Sequence, residues 1–218
     1  AYVYAQIRDD GMGDNGVFVV KSSDYGATWD EEIGVVNISL QGTANQPLND
    51  KCFIAADANP NSPYKDRLYV AWFLSGGPNR GIVMKYSDNW NNWDDSPIRV
   101  LQNTGSFQSP IPVVGPNGEL YVAWESVEGD YTTIFFQKST NGGETWAWSS
   151  SKSVQRVRTT GTLVGYRKAL ADKQAMRVSS HPYMAVDQRN GNLYVVQSGK
   201  DEQSFYGIWL AKSTNGGE

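Results

Sequence analysis

The sequence predicts an all-β chain: a β-propeller of four-stranded antiparallel blades, present as a partial ring of about three to four blades. Three observations carry that prediction. A turn motif built from Ser, Asp or Asn, Gly and Trp recurs along the chain. A strand-like unit, LYVAW or a close variant, stands at nearly constant distance before it. A further strand-like unit stands before that one.

The turn motif is clean at Lys21 to Trp29 (KSSDYGATW) and at Lys138 to Trp146 (KSTNGGETW), and again at Lys212 to Glu218 (KSTNGGE). A worn copy reads KYSDNWNNW from Lys85 to Trp93. It keeps Lys85, Asp88 and Trp93 but has Trp90 where the others have Gly26, Gly143 and Gly217. The physical need is local. Asp or Asn accepts backbone N–H groups across a tight turn, Gly takes a positive φ, and Trp packs under the hairpin. The motif residues are therefore Ser22, Asp24, Gly26, Thr28 and Trp29; Asp88 and Trp93; Ser139, Asn141, Gly143, Thr145 and Trp146; and Ser213, Asn215 and Gly217.

The preceding strand reads LYVAW at Leu68 to Trp72 and Leu120 to Trp124, LYVVQ at Leu193 to Gln197, and AYVYA at Ala1 to Ala5. Before it stand CFIAAD from Cys52, PIPVVG from Pro110 and PYMAVD from Pro182. Gly-type turn signals join these two strands, at Pro116-Asn117-Gly118 and Arg189-Asn190-Gly191. Third strands are expected at Val17–Val20, Ile82–Lys85, Ile134–Gln137 and Ile208–Ala211. Residues 1–218 then read as one propeller region, with blades at about 1–48, 49–107, 108–178 and 179–218. The first and last are incomplete, so the rest of the ring is expected from further chain or a second copy.

Composition bounds function by exclusion. The net charge is −4, which gives no general pull toward nucleic acid or anionic membrane. No run of about 18 apolar residues spans a bilayer. Cys52 is the one cysteine, so no disulfide forms within the chain, and it reads as a small buried hydrophobe. Phosphate loops, Ser–His–Asp spacing, nucleic-acid motifs and transition-metal clusters are absent. Asp50, Asp57 and Asp187 fall at strand ends, where they cap turns or share a Ca2+ with backbone carbonyls. Asn37-Ile38-Ser39 is a glycosylation sequon.

The turn motif resembles the S-x-D-x-G-x-T-W Asp box of bacterial neuraminidase (BNR) repeats, matched at all five positions by Ser22, Asp24, Gly26, Thr28 and Trp29. The stretches NDKCFIAADANPNSPYKDRLYVAW and SPIPVVGPNGELYVAWE are also similar to secreted, sialidase-like BNR-repeat proteins. That resemblance implies a six-bladed disc, a secreted or cell-surface setting, and function on the face opposite the boxes. On that face Lys51, Ser109 and His181 should surround the channel mouth. A sialidase resemblance would imply three arginines, a Tyr–Glu pair and an Asp acid, but the Arg-Ile-Pro element is missing. The available catalytic candidates are Arg8, Asp9, Asp10 and Glu125. The longest connection, 147–181, carries Arg156, Arg158, Arg167 and Lys168 and is expected to overhang the mouth as a basic lid, with helix propensity over Tyr166 to Arg177.

Three functions compete. The first is a non-catalytic binding or surface-structural module for glycans or protein partners. The second is an exo-sialidase-type glycoside hydrolase whose catalytic set is completed outside this chain. The third is a subunit of a homopolymeric extracellular assembly. A box specifies architecture and says little about chemistry.

Overall fold

A computed structural model describes residues 2–8, 15–39, 47–93, 99–102, 107–147, 151–164, 167–170, 173 and 176–218. Antiparallel strands make up the fold, with no α-helix among the described residues. The first sheet holds β1 (Tyr2–Arg8), β2 (Asn15–Lys21) and β3 (Gly34–Ser39). The second holds β4 (Asn49–Ala56), β5 (Leu68–Leu74), β6 (Gly81–Ser87) and β7 (Arg99–Gln102). In the third, β8 (Phe107–Val114), β9 (Leu120–Glu128), β10 (Tyr131–Ser139) and β11 (Lys152–Arg158) pair in order. A small sheet follows, of β12 (Thr162–Val164), β13 (Arg167–Leu170) and β14 (Met176–Arg177). The last group is β15 (Tyr183–Val186), β16 (Leu193–Lys200) and β17 (Tyr206–Ser213), tied to the third sheet by one pairing of Arg158 with Lys200.

The small sheet replaces the helix expected over Tyr166 to Arg177. Ala169 is buried and pairs with Thr162 on one side and Arg177 on the other, so cross-strand pairing overrides local helix propensity.

The repeated apolar unit reads as a nearly unbroken hydrophobic run because both faces of its strand are covered. Leu68, Val70 and Trp72 turn toward Val17, Val19 and Val36 of the first sheet. Tyr69 and Ala71, with Ile82 and Met84, meet Leu120, Val122 and Trp124 of the third. Tyr121, Ala123, Ile134 and Phe136 then meet Met184, Leu193 and Val195 of the fourth. Strands β4, β8 and β15 stand side by side, so the first strands of successive sheets gather together and the fourth strands lie outside. On the far face of the fourth sheet, Tyr183, Ile208 and Leu210 are exposed.

Each box turn closes on its own hydrogen bonds. Gly26 N–H donates to Ser22 Oγ at 2.8 Å, and Asp24 accepts from Thr28 N–H at 2.8 Å and from the Thr28 hydroxyl at 2.6 Å. Gly143 N–H to Ser139 Oγ (2.9 Å) and Thr145 N–H to Asn141 Oδ1 (2.9 Å) repeat the pattern, and Gly217 N–H to Ser213 Oγ (2.8 Å) starts it again. The three glycines have φ of 90°, 87° and 88°, a region that other residues adopt only with strain.

Register corrects the worn copy. Leu68 pairs with Ser87 as Leu120 pairs with Ser139 and Leu193 with Ser213. The box therefore starts at Ser87, and Asn89 takes the place of Asp24. Asp88 lies outside the turn's bonding and binds Arg67 through both oxygens at 2.7 Å. The copy is one residue shorter, and its Trp93 is fully buried against the first-to-second-sheet core. Trp146 packs likewise against the second-to-third-sheet core. Trp29 does not pack as expected: it is 42% exposed, because no sheet among the described residues covers that side of the first one.

Candidate functional site

The strand registers make three positions equivalent across the second, third and fourth sheets. Phe53 pairs with Ala71, Ile111 with Ala123, and Tyr183 with Val196. Two residues earlier stand Lys51, Ser109 and His181, at the end of the sheets opposite the box turns. In the second and third sheets this position is a bulge, where two residues face one on the neighbouring strand. Lys51 and Ser109 both adopt φ of 53°, a left-handed conformation that non-glycine residues hold at a cost of roughly 1–3 kcal/mol.

The same registers align Trp72, Trp124 and Gln197 on the second strands, and Phe73, Glu125 and Ser198 one residue on. Between the second and third sheets, Phe73 and Trp124 belong to one apolar cluster. Between the third and fourth, Glu125 stands at the Phe73 position and Gln197 at the Trp124 position. Where the joint between the second and third sheets closes with Phe73 and Trp124, this one closes with a carboxylate and an amide.

His181 completes the substitution. Its Nδ1 lies 2.8 Å from Glu125 Oε1. The Glu125 side chain is 3% exposed and that of His181 is 26% exposed. Glu125 Oε2, both side-chain polar atoms of Gln197, and Ser109 Oγ are buried without a protein partner. Each such group costs about 1–3 kcal/mol unless a hydrogen bond is supplied, so packing alone gives no reason to put them here.

The remaining candidates are scattered. Arg8 ends β1, and Asp9 and Asp10 lie outside the described residues. Arg156 and Arg158 are on β11, the fourth strand of its sheet, where Arg158 pairs with Tyr131. Described parts of the long connection build that outer strand and the small sheet of β12, β13 and β14. The Arg156 guanidinium stacks 3.7 Å from the Tyr131 ring centroid. Arg167 begins β13, and Lys168 binds Asp130 at 3.0 Å, holding the Asp130 carboxyl below its usual range.

The three aspartates suggested for Ca2+ do not converge. Asp50 and Asp57 sit at opposite ends of β4, and Asp50 meets Lys51 at 3.7 Å. Asp57 caps its turn, accepting from the Ser62 hydroxyl and Asn59 N–H. Asp187 is held by Arg189, whose side chain and N–H pull its pKa down to about 2. Among the described residues no group of three His, Cys, Asp or Glu side chains could hold a metal.

A cavity of about 430 Å³ lies elsewhere. It lies between β10, β16 and the last box turn, lined by Phe136, Met184, Leu193 and Val195, and none of its charged lining residues is buried. Sequence reasoning singled out Glu125 and His181 but missed Gln197. The signal was present as LYVVQ in place of LYVAW.

No protein family matches the sequence, and no curated protein does. Solved structures do match. A Hadza microbial sialidase superposes over 93% of this chain with TM-score 0.55 and 15% identity. This chain spans 39% of that enzyme's length. An α-L-arabinofuranosidase of Fusarium graminearum superposes over 98% of the chain and 71% of its own, with TM-score 0.54 and 11% identity. A Penicillium chrysogenum α-L-arabinanase gives TM-score 0.53 and 13% identity, over 98% of this chain and 71% of its own. At these identities the likeness is one of fold: all-β, antiparallel and sialidase-like.

Proposed function

We propose that this chain is part of an extracellular, sialidase-like Asp-box propeller, and that it acts as a non-catalytic module binding glycans at the mouth ringed by Lys51, Ser109 and His181. The four strand groups are then its blades, at about residues 1–48, 49–107, 108–178 and 179–218. One observation carries the reading: where two neighbouring sheets close with Phe73 and Trp124, the next pair closes with Glu125, Gln197 and His181. Buried polar groups without protein partners at such a joint are ones that a bound hydroxyl or an ordered water would satisfy. The sialidase, arabinofuranosidase and arabinanase folds support a sugar as the ligand.

A second reading, a glycoside hydrolase, is favoured by the same pair, since a carboxylate holding an imidazole is a competent proton-transfer unit. The bare face carrying Tyr183, Ile208 and Leu210 supports packing of a further sheet, from more chain or from a second copy. Glycan-array binding, combined with hydrolysis assays on fluorogenic sialosides and arabinofuranosides, separates the first two. The binding reading expects array signal that His181→Ala removes, and no turnover. Turnover abolished by Glu125→Gln would replace it with the hydrolase.

A further inference from the structure

The registers that align the sheets also align the joints between them. In the joint between the first and second sheets, Val19, Val36, Leu68 and Val70 form one buried cluster with Trp93, and Ile54 packs against it. Each of the aliphatic residues has a counterpart in the joint between the third and fourth sheets. Leu193 and Val195 match Leu68 and Val70, because Leu193 pairs with Ser213 as Leu68 pairs with Ser87. Met184 pairs with Val195 as Ile54 pairs with Val70. Phe136 pairs with Lys152 as Val19 pairs with Gly34. Val154 and Val36 are each the extra residue where the fourth strand of the sheet bulges.

The two joints treat this matching set differently. Around Trp93, itself 1% exposed, Val36 is also 1% exposed. In the other joint the counterparts line the cavity of about 430 Å³, and Val154 is 36% exposed. A cavity of roughly 150 Å³ already takes a benzene ring, so this one has room for the two rings of an indole.

The last box turn leads into the same place. A Cβ on Gly217 would fall on Phe136, as one on Gly143 would fall against Met84, so each turn rests on the preceding sheet at the same point. Ser213 bonds Asn215 as Ser139 bonds Asn141, which puts Asn215 where Asp24 and Asn141 accept the N–H of Thr28 and Thr145. In those two boxes Trp follows Thr, and the next N–H returns to the lysine carbonyl: Asp30 to Lys21 at 2.8 Å, and Ala147 to Lys138 at 2.7 Å. Lys212 holds the matching position and lines the cavity.

We propose that this cavity is a seat for an indole ring, presented by a Thr-Trp step joined to the last box turn, and that the third and fourth sheets stack fully only with that ring in place. Asn215 receives the threonine, Lys212 receives the N–H after the tryptophan, and Phe136, Met184, Leu193 and Val195 take the ring. The proposal stands apart from the glycan reading, which concerns the other end of the joint.

The 218-residue chain is compared with the same chain carrying Thr-Trp-Ala or Thr-Ala-Ala after Glu218, each labelled with 13C at the methionine methyl groups. Met184→Leu assigns the Met184 signal. Met84, whose joint already holds Trp146, is the internal reference. The tryptophan extension should move the Met184 methyl upfield by ring current, leave Met84 in place, and raise the thermal midpoint by roughly 6–12 °C over the alanine extension, as filling a core cavity with a large aromatic does. The Val154 methyl groups should lose contact with a soluble paramagnetic agent in the tryptophan chain alone. Equal midpoints and an unmoved Met184 in both extensions would overturn the proposal. A raised midpoint with Met184 unmoved would overturn it too, because the ring would then act from somewhere else.

Discussion

The joint between the second and third sheets and the joint between the third and fourth use the same backbone registers and different side chains. The first packs an apolar cluster that reaches the far end, with Trp124 fully buried and Phe73 in the same cluster. The second begins the same way, with Ile134, Phe136, Leu193 and Val195. It turns polar only at the end where β8 and β15 start, with Glu125, Gln197 and His181. The difference teaches that stacking needs only part of the interface. The box-proximal half carries the apolar contact between the two sheets, which leaves the far half of one joint free to carry buried polar groups.

The most severe way to break the apolar joint is Trp124→Ala. Deleting a fully buried indole should cost about 3–5 kcal/mol, read as a lowered urea midpoint. Arg67→Ala comes next. Arg67 bridges the two sheets at the box end, bonding Asp88 on its own sheet and the Gly142 carbonyl on the next, and its guanidinium lies 4.1 Å from the Tyr86 ring centroid. Its loss should cost about 1–2 kcal/mol by the same measurement.

The polar joint should respond in the opposite direction. Gln197→Leu removes two unpartnered buried atoms and should raise stability by about 1 kcal/mol, with loss of sugar binding by titration calorimetry. A fall in stability would mean that Gln197 is satisfied and structural.

The smallest effect separates turns from joints. Asp24 has its pKa lowered to about 2 by the Thr28 hydroxyl, then the Thr28 N–H and the Ser22 hydroxyl. A carboxyl depressed in the fold contributes stability above its unfolded value of 3.8, and loses it as pH falls toward 2. Asp24→Asn, which copies Asn141 and Asn215, should flatten that acid limb in urea melts taken from pH 5 to pH 2. An unchanged limb would place the acid sensitivity in other carboxyls.

Much of the fold was legible because it repeats. Four strand groups follow from LYVAW-type units and box turns, each a local device that two or three residue types specify. Where the repeat is worn, sequence alignment slipped. Matching Lys85 to Lys21 put Asp88 at the box position, and only pairing of Leu68 with Ser87 showed that the turn is a residue shorter. Glu125 and His181 were visible as candidates, but not their meeting. That contact spans 56 positions and depends on how two sheets stack. The basic stretch shows the same limit. Charge is visible in the sequence, whereas placing Arg156 and Arg158 on an outer strand depends on pairing with β10.

Cys52 occupies the residue after Lys51 in the β4 bulge, 3% exposed, and burial pushes its thiol pKa up to about 12. At neutral pH it is therefore almost entirely unreactive while β4 stays in place, since only thiolate attacks. The molecule thus carries its own chemical clock. The rate at which a thiol reagent consumes Cys52 counts how often β4 comes loose, with no label added and no second cysteine to confuse the reading.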